Sequence, residues 1–104
     1  MKNTLSINNN KRVRGQILTL LYAVHPSPIE VRTLSNALLD GNYITSPDIA
    51  AHVDYLEEKG YIRRVGQDDS ARIPGMLPVT TFVKLAADGV DLMEGTTEDH
   101  GVDV

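Results

Sequence analysis

The sequence predicts an α+β fold: three helices in succession, then a β-hairpin and a short closing helix. Three observations carry that expectation. Apolar residues recur at helical spacing in three runs before residue 60. Two short runs rich in β-branched residues follow, parted by a turn-rich stretch. Most Pro and Gly residues stand between the runs, where they end one element before the next begins.

Residues 1–11 are polar and Asn-rich, with isolated Leu5 and Ile7, and read as a flexible N-terminal arm. From Arg12 onward, Val13, Ile17, Leu20, Leu21 and Val24 fall at helical spacing. "HPSP" ends this first helix, because a residue before proline is biased away from helix. A short extended stretch at residues 28–30 leads into the second helix. There Val31, Leu34, Leu38 and Leu39 share one side, and Gly41 is placed to take a left-handed cap. The third helix is expected from Ser46, a good N-cap, with Pro47 at the first helical position, where its missing N–H costs nothing. Ile49, Val53 and Leu56 follow at i, i+4 and i+7, and Gly60 supplies the stop. "YIRRV" and "VTTFVKL" are the strands, with the long loop "GQDDSARIPGMLP" between them. "AADGVDLMEG" closes the fold as a short helix, and residues 96–104 read as a disordered acidic tail.

Three helices followed by a hairpin with an exposed loop is the order of a winged helix-turn-helix. Such a fold has a three-helix core, a two- or three-stranded β-wing and, here, a short C-terminal helix. "VDYLEEKGYIRRV" resembles the join in many small prokaryotic winged-helix regulators, in which a helix ending Leu-Glu-x-x-Gly enters the wing. "VKLAADGVDLMEG" is similar to their strand followed by Thr-x-x-Gly-x-x-Leu, with Ala86 where Thr or Ser is usual, so that a helix cap is missing. The likeness covers residues 12–95 as one domain. More narrowly, the length and the ending "GVDLMEG" resemble a family of small proteins of Mu-like prophages whose function is not assigned. The first resemblance implies DNA binding and transcription regulation; the second implies a phage origin.

Composition narrows the classes. At 104 residues the chain is the size of a single domain, and a hydrophobic fraction of 41% is ordinary for a globular one. No apolar run approaches the roughly 18 residues a bilayer span requires, and the N-terminus lacks the apolar stretch of a secretory signal. The lack of cysteine excludes disulfides, thiolate metal sites and a Cys nucleophile. A cytoplasmic protein without a membrane partner is expected. Its net charge of −4 is uneven. Lys2, Lys11, Arg12 and Arg14 stand in residues 1–14 without an acid. Asp88, Asp91, Glu94, Glu98, Asp99 and Asp103 stand in residues 88–104 without a base. Without the stretch from Glu94 onward the chain is formally neutral, which neither favours nor forbids nucleic acid.

In a helix-turn-helix, the N-terminal residues of the recognition helix meet base edges while flanking groups grip phosphates. The candidates here are Thr45, Ser46, Asp48, Ala51, His52 and Tyr55. None is Arg, Lys, Asn or Gln, the types that make strong bidentate contacts to guanine and adenine. The same stretch carries Asp48, Asp54, Glu57 and Glu58 against Lys59. Asp48 fits the positive end of the helix dipole. Glu57 and Glu58 fit a solvated face, yet Asp54 and Glu58 would meet phosphates without compensation. Bases elsewhere offset them: Arg63, Arg64 and Arg72 in the wing, Lys84 on the return strand, and Lys11, Arg12 and Arg14 at the start of the first helix. Asp68 and Asp69 partly cancel Arg72.

Enzymatic chemistry is not expected. His25, His52 and His100 lack metal-ligand spacing, and no nucleophile elbow or phosphate-binding glycine loop occurs. No catalytic, cofactor or metal residue is assigned. His25 fits a helix-end role, and His52, beside the buried face, fits packing better than base reading. Two readings stay open. One is a winged-helix protein that binds double-stranded DNA as a transcriptional regulator. The alternative is a winged-helix protein–protein interaction module without DNA binding. It rests on the acidic third helix and on "IPGMLP", whose Ile73, Met76 and Leu77 either form a sticky loop tip or fold back onto the core. A homodimer would help the DNA reading by joining two weak half-sites, and the first and closing helices around Leu20, Val90 and Leu92 are its natural seat.

Overall fold

The computed structural model describes residues 4–66 and 76–104. Arg72, Ile73, Asp68 and Asp69, with most of the loop between the hairpin strands, lie outside the described residues. The elements run α1 (Thr4–Val24), β1 (Ile29–Glu30), α2 (Val31–Asp40), α3 (Ala50–Glu58), β2 (Ile62–Val65), β3 (Phe82–Leu85) and α4 (Ala87–Met93). Among the described residues the strands form one antiparallel sheet in the order β1-β3-β2. The fold is therefore α+β. No described helix is long and apolar enough to cross a membrane.

α1 is the element on which the others converge, touching α2, α3, α4 and β3. Its Val13, Ile17, Leu18 and Leu21 are fully buried, spaced as one helical stripe. Leu18 belongs to that stripe, whereas Leu20 is half-buried and Val24 exposed, so the stripe is turned slightly from the expected one. Against it lie Val31, Leu34 and Leu38 of α2, Ile49, Val53 and Leu56 around α3, and Ile62, Val83 and Leu85 of the sheet.

Strand register sets the two faces of the sheet. Ile62 lies opposite Leu85 and Arg64 opposite Val83 on the inner face, where the apolar members are buried. Arg63 lies opposite Lys84 and Val65 opposite Phe82 on the outer face. β1 adds Ile29 beside Val83 and Glu30 beside Phe82. β3 begins at Phe82 rather than Val79, because the Thr81 N–H bonds the Pro78 carbonyl at 3.0 Å and turns the chain. That turn aims the Thr81 and Val79 carbonyls at the Val31 and Arg32 N–H groups, at 2.8 and 3.0 Å. They satisfy donors of the first turn of α2, which has no side-chain cap.

Several local expectations are corrected. α1 starts at Thr4, so most of the segment expected as an arm is helical. α3 starts at Ala50, not at Ser46 and Pro47. The Asp48 N–H reaches Ser46 Oγ at 3.4 Å and the Ala50 N–H reaches Asp48 Oδ1 at 3.0 Å, local bonds that compete with helical ones. Asp48 therefore precedes the helix instead of occupying its first turn. After α2, Gly41 keeps a negative φ and Asn42 takes the left-handed conformation, which Asn tolerates. Gly60, with φ of 79°, does act as the left-handed stop after α3.

The largest correction is at the C-terminal end. Residues 96–104, expected as a disordered tail, fold back along α1. Val102 is 5% exposed within the core cluster, and the Asp103 N–H bonds the Lys11 carbonyl at 3.1 Å. The approach is close enough that a Cβ at Gly15 would collide with the Asp103 carbonyl.

Candidate nucleic-acid interface

Gly60 turns the chain so that β2 returns alongside α3, and Arg64, on the inner face of the sheet, meets the acids of that helix. Its Nε donates to Glu57 Oε1 and Oε2 at 3.0 and 3.2 Å, and its Nη2 donates to Asp54 Oδ1 at 3.2 Å. The Arg64 and Glu57 side chains are each only 6% exposed. Glu57 is therefore not on a solvated face, and Arg64 is not available to a partner. One guanidinium thus holds two acids of α3 and cancels one of their two charges. A guanidinium suits this position because its planar fork serves two carboxylates at once.

Arg14 and Tyr55 are likewise committed. The Arg14 guanidinium lies 3.7 Å from the Tyr55 ring centroid, and its Nη1 donates to the Gly101 carbonyl at 3.2 Å. Both residues hold the C-terminal strap rather than a groove. The strap is further fixed at Asp99. Tyr61 donates its hydroxyl to Asp99 Oδ2 at 2.6 Å, the Gly101 N–H donates to Oδ1 at 2.7 Å, and Lys59 Nζ stands 3.3 Å from Oδ2. Burial, reinforced by the bond to Asp99, pushes the Tyr61 hydroxyl up to about 12. The same hydrogen bond, with those from Gly101 and Lys59, outweighs burial and lowers the Asp99 carboxyl.

Thr45, Ser46, Asp48 and Ala51 remain exposed on the turn before α3 and its first turn, and His52 is half-buried. Arg12 is exposed, with its guanidinium 4.2 Å from the Tyr43 ring centroid, so it stands beside the connector that carries Thr45. Lys11 is half-buried. Arg63 is exposed on the outer face of the sheet, directly opposite Lys84. The next row of that face holds Glu30, Phe82 and Val65, and Arg32 approaches Glu30 at 3.9 Å. Phe82, the one Phe of the chain, is 44% exposed. Sequence reading marked Arg63 and Lys84 but missed Phe82 and Arg32. Strict alternation in "FVKL" was the available signal, since it puts Phe82 and Lys84 on the face opposite Val83 and Leu85.

Two depressions complete the surface. An apolar groove of about 590 Å³ runs between Val31, Pro47, Ile49, Met76, Leu77 and Val79, with Met76 59% exposed. Of the expected loop-tip residues, Met76 is thus exposed and Leu77 packs partly on the core. A second depression, about 770 Å³, lies between α1, α4 and the strap; Glu98, Asp99 and Asp103 in its lining disfavour a polyanion. Comparison of the chain with protein-family models, with curated proteins and with solved structures finds no match.

Proposed function

We propose that the protein is a winged-helix DNA-binding protein that acts as a transcriptional regulator. In this reading α2 and α3 are the helix-turn-helix, and β2 and β3 form the wing. The clamp of Arg64 on Asp54 and Glu57 carries the proposal. Its single positive charge cancels one of the two carboxylates and leaves the cluster at −1, so α3 is less hostile to phosphate than its own composition suggests. The N-terminal end of α3 then offers Thr45, Ser46, Ala51 and His52 to base edges, while Arg12, Arg63 and Lys84 hold the backbone.

Few cations are free for this work, so affinity is modest and strongly salt-dependent. Three phosphate contacts lower affinity about fortyfold between about 50 and 200 mM salt. Fluorescence anisotropy of a labelled mixed-sequence duplex at those two salt concentrations tests the reading. Salt-steep binding supports it; an unchanged anisotropy at tens of micromolar protein in low salt rejects it.

The apolar groove favours a second reading, in which the winged helix docks on another protein. Met76 and Val79 would then anchor an apolar partner segment. The uncharged Val79→Ser should weaken such docking and leave duplex affinity unchanged. Loss of duplex affinity in that variant would assign the groove to the DNA site instead.

A further inference from the structure

We infer that the outer face of the sheet seats an unpaired base of a single-stranded nucleic acid, with Phe82 as the stacking platform and Arg63 and Lys84 as the phosphate grip. The inference deepens the nucleic-acid reading, on which it rests only in taking the partner to be a polyanion. Its starting point is a placement that folding alone does not favour. Like charges directly opposite in an antiparallel pair repel, yet Arg63 and Lys84 occupy one such pair. Among the described residues neither forms an ion pair, while Lys59, Arg32 and Arg64 all do. Among the described residues the acid of this face is Glu30, and it has Arg32 beside it. Three cations against one carboxylate make the described part of this face positive, in a chain whose net charge is −4.

Charge alone would suit any polyanion; Phe82 narrows the choice. It is a flat apolar ring in the row next to the cation pair, held 44% open to solvent by strand alternation. Phe82 and Lys84 are two residues apart on one strand, so they stand about 7 Å apart along the face. That spacing falls within the span from a base to its own phosphate. Duplex DNA keeps its bases stacked inside and has no use for the ring. A single strand presents bases that stack on aromatic side chains and phosphates that the adjoining cations can hold. An acidic peptide would engage the cations but leave the ring without a partner.

The test uses the full chain carrying Phe82→Trp. Because the protein has no Trp, this gives one indole, placed at the proposed platform. Titration with oligo-dT at low salt should quench its emission saturably. Phe82→Ala should weaken oligo-dT binding by about five- to 150-fold, the range for losing one stacked base, and leave duplex affinity within about twofold. Since the ring is largely outside the core, circular dichroism should show the variants folded as the parent is. The inference is overturned if oligo-dT fails to bind, or binds without quenching and without loss in Phe82→Ala. It is also overturned if poly-glutamate quenches the indole as deeply as oligo-dT, which would make the face a dock for acidic protein. A labelled duplex titrated in parallel separates the two proposals. Duplex binding without oligo-dT binding removes this inference alone, and the reverse removes the duplex reading alone.

Discussion

Arg64 of β2 and Glu57 of α3 form an ion pair closed at 3.0 Å, with 6% of either side chain exposed. Removing one partner leaves the other buried and charged. Arg64→Ala should therefore destabilise the protein by about 3–5 kcal/mol in urea unfolding. Arg64→Lys should recover only part of this, since a point charge cannot span Asp54 and Glu57 as the planar fork does. A loss under about 1 kcal/mol for Arg64→Ala would mean that Glu57 reaches water when its partner is gone.

Its neighbour in sequence behaves oppositely, because alternation sends Arg63 to the outer face. Arg63→Ala should change stability by no more than about 0.5 kcal/mol, as expected of an exposed side chain without an ion-pair partner among the described residues. In DNA titrations it should reduce the slope of log affinity against log salt by about one, the share of a single phosphate contact. An unchanged slope would take Arg63 out of the interface.

Tyr61 and Asp99 give the protein a defined response to pH. Tyr61 titrates at about 12 in the folded state, against about 10 for an unperturbed tyrosine. A value raised by folding stabilises the native state fully below pH 10, and that contribution is lost as the pH rises from 10 through 12. The Asp99 carboxyl is lowered by folding, so its contribution is present above about pH 4 and lost as the pH falls through its depressed folded value. Tyr61→Phe should cost about 1–2 kcal/mol at neutral pH and flatten the alkaline limb between pH 10 and 12. A limb of full height in that variant would assign it to another group.

Gly15 is the point where the strap presses on α1. A Cβ there would meet the Asp103 carbonyl, so Gly15→Ala should lift the last residues away. Exposure of Val102 then costs about 1.5–2 kcal/mol. Hydrogen exchange at Val102 and Asp103 should accelerate while that of α2 stays as it was. Exchange unchanged at both sites would show that the strap absorbs the methyl group by a small shift.

Apolar periodicity carried most of the fold. Val13, Ile17 and Leu21, then Leu34 and Leu38, then Val53 and Leu56, are buried as their spacing indicates, and Gly60 stops α3. The start of α3 was misread because two local signals compete there. Ser46 before Pro47 looks like a cap, but Asp48 captures the Ala50 N–H and delays the helix. The strap was misread because its composition is that of a solvated tail. What fixes it comes from elsewhere in the chain: Tyr61 and Lys59 bond Asp99, Arg14 bonds the Gly101 carbonyl, and the core accepts Val102. The proposed interface was only half legible for a related reason. Arg63 and Arg64 look alike in sequence. Their opposite fates depend on which face of β2 packs inward, and that is decided by Ile62 and by the acids seven and ten residues upstream of Arg64.

The strand order β1-β3-β2 also bears on how the protein emerges during synthesis. Among the described residues β1 and β2 each pair with β3 alone, and β3 follows both in the chain. Until Phe82–Leu85 has left the ribosome, Ile29 and Ile62 have no strand to pair with, although α1, α2 and α3 are already free to associate. The helices can therefore associate before the sheet can close. Both pairings wait on β3, and until it is in place the edges of β1 and β2 are open to chaperones, proteases and neighbouring chains.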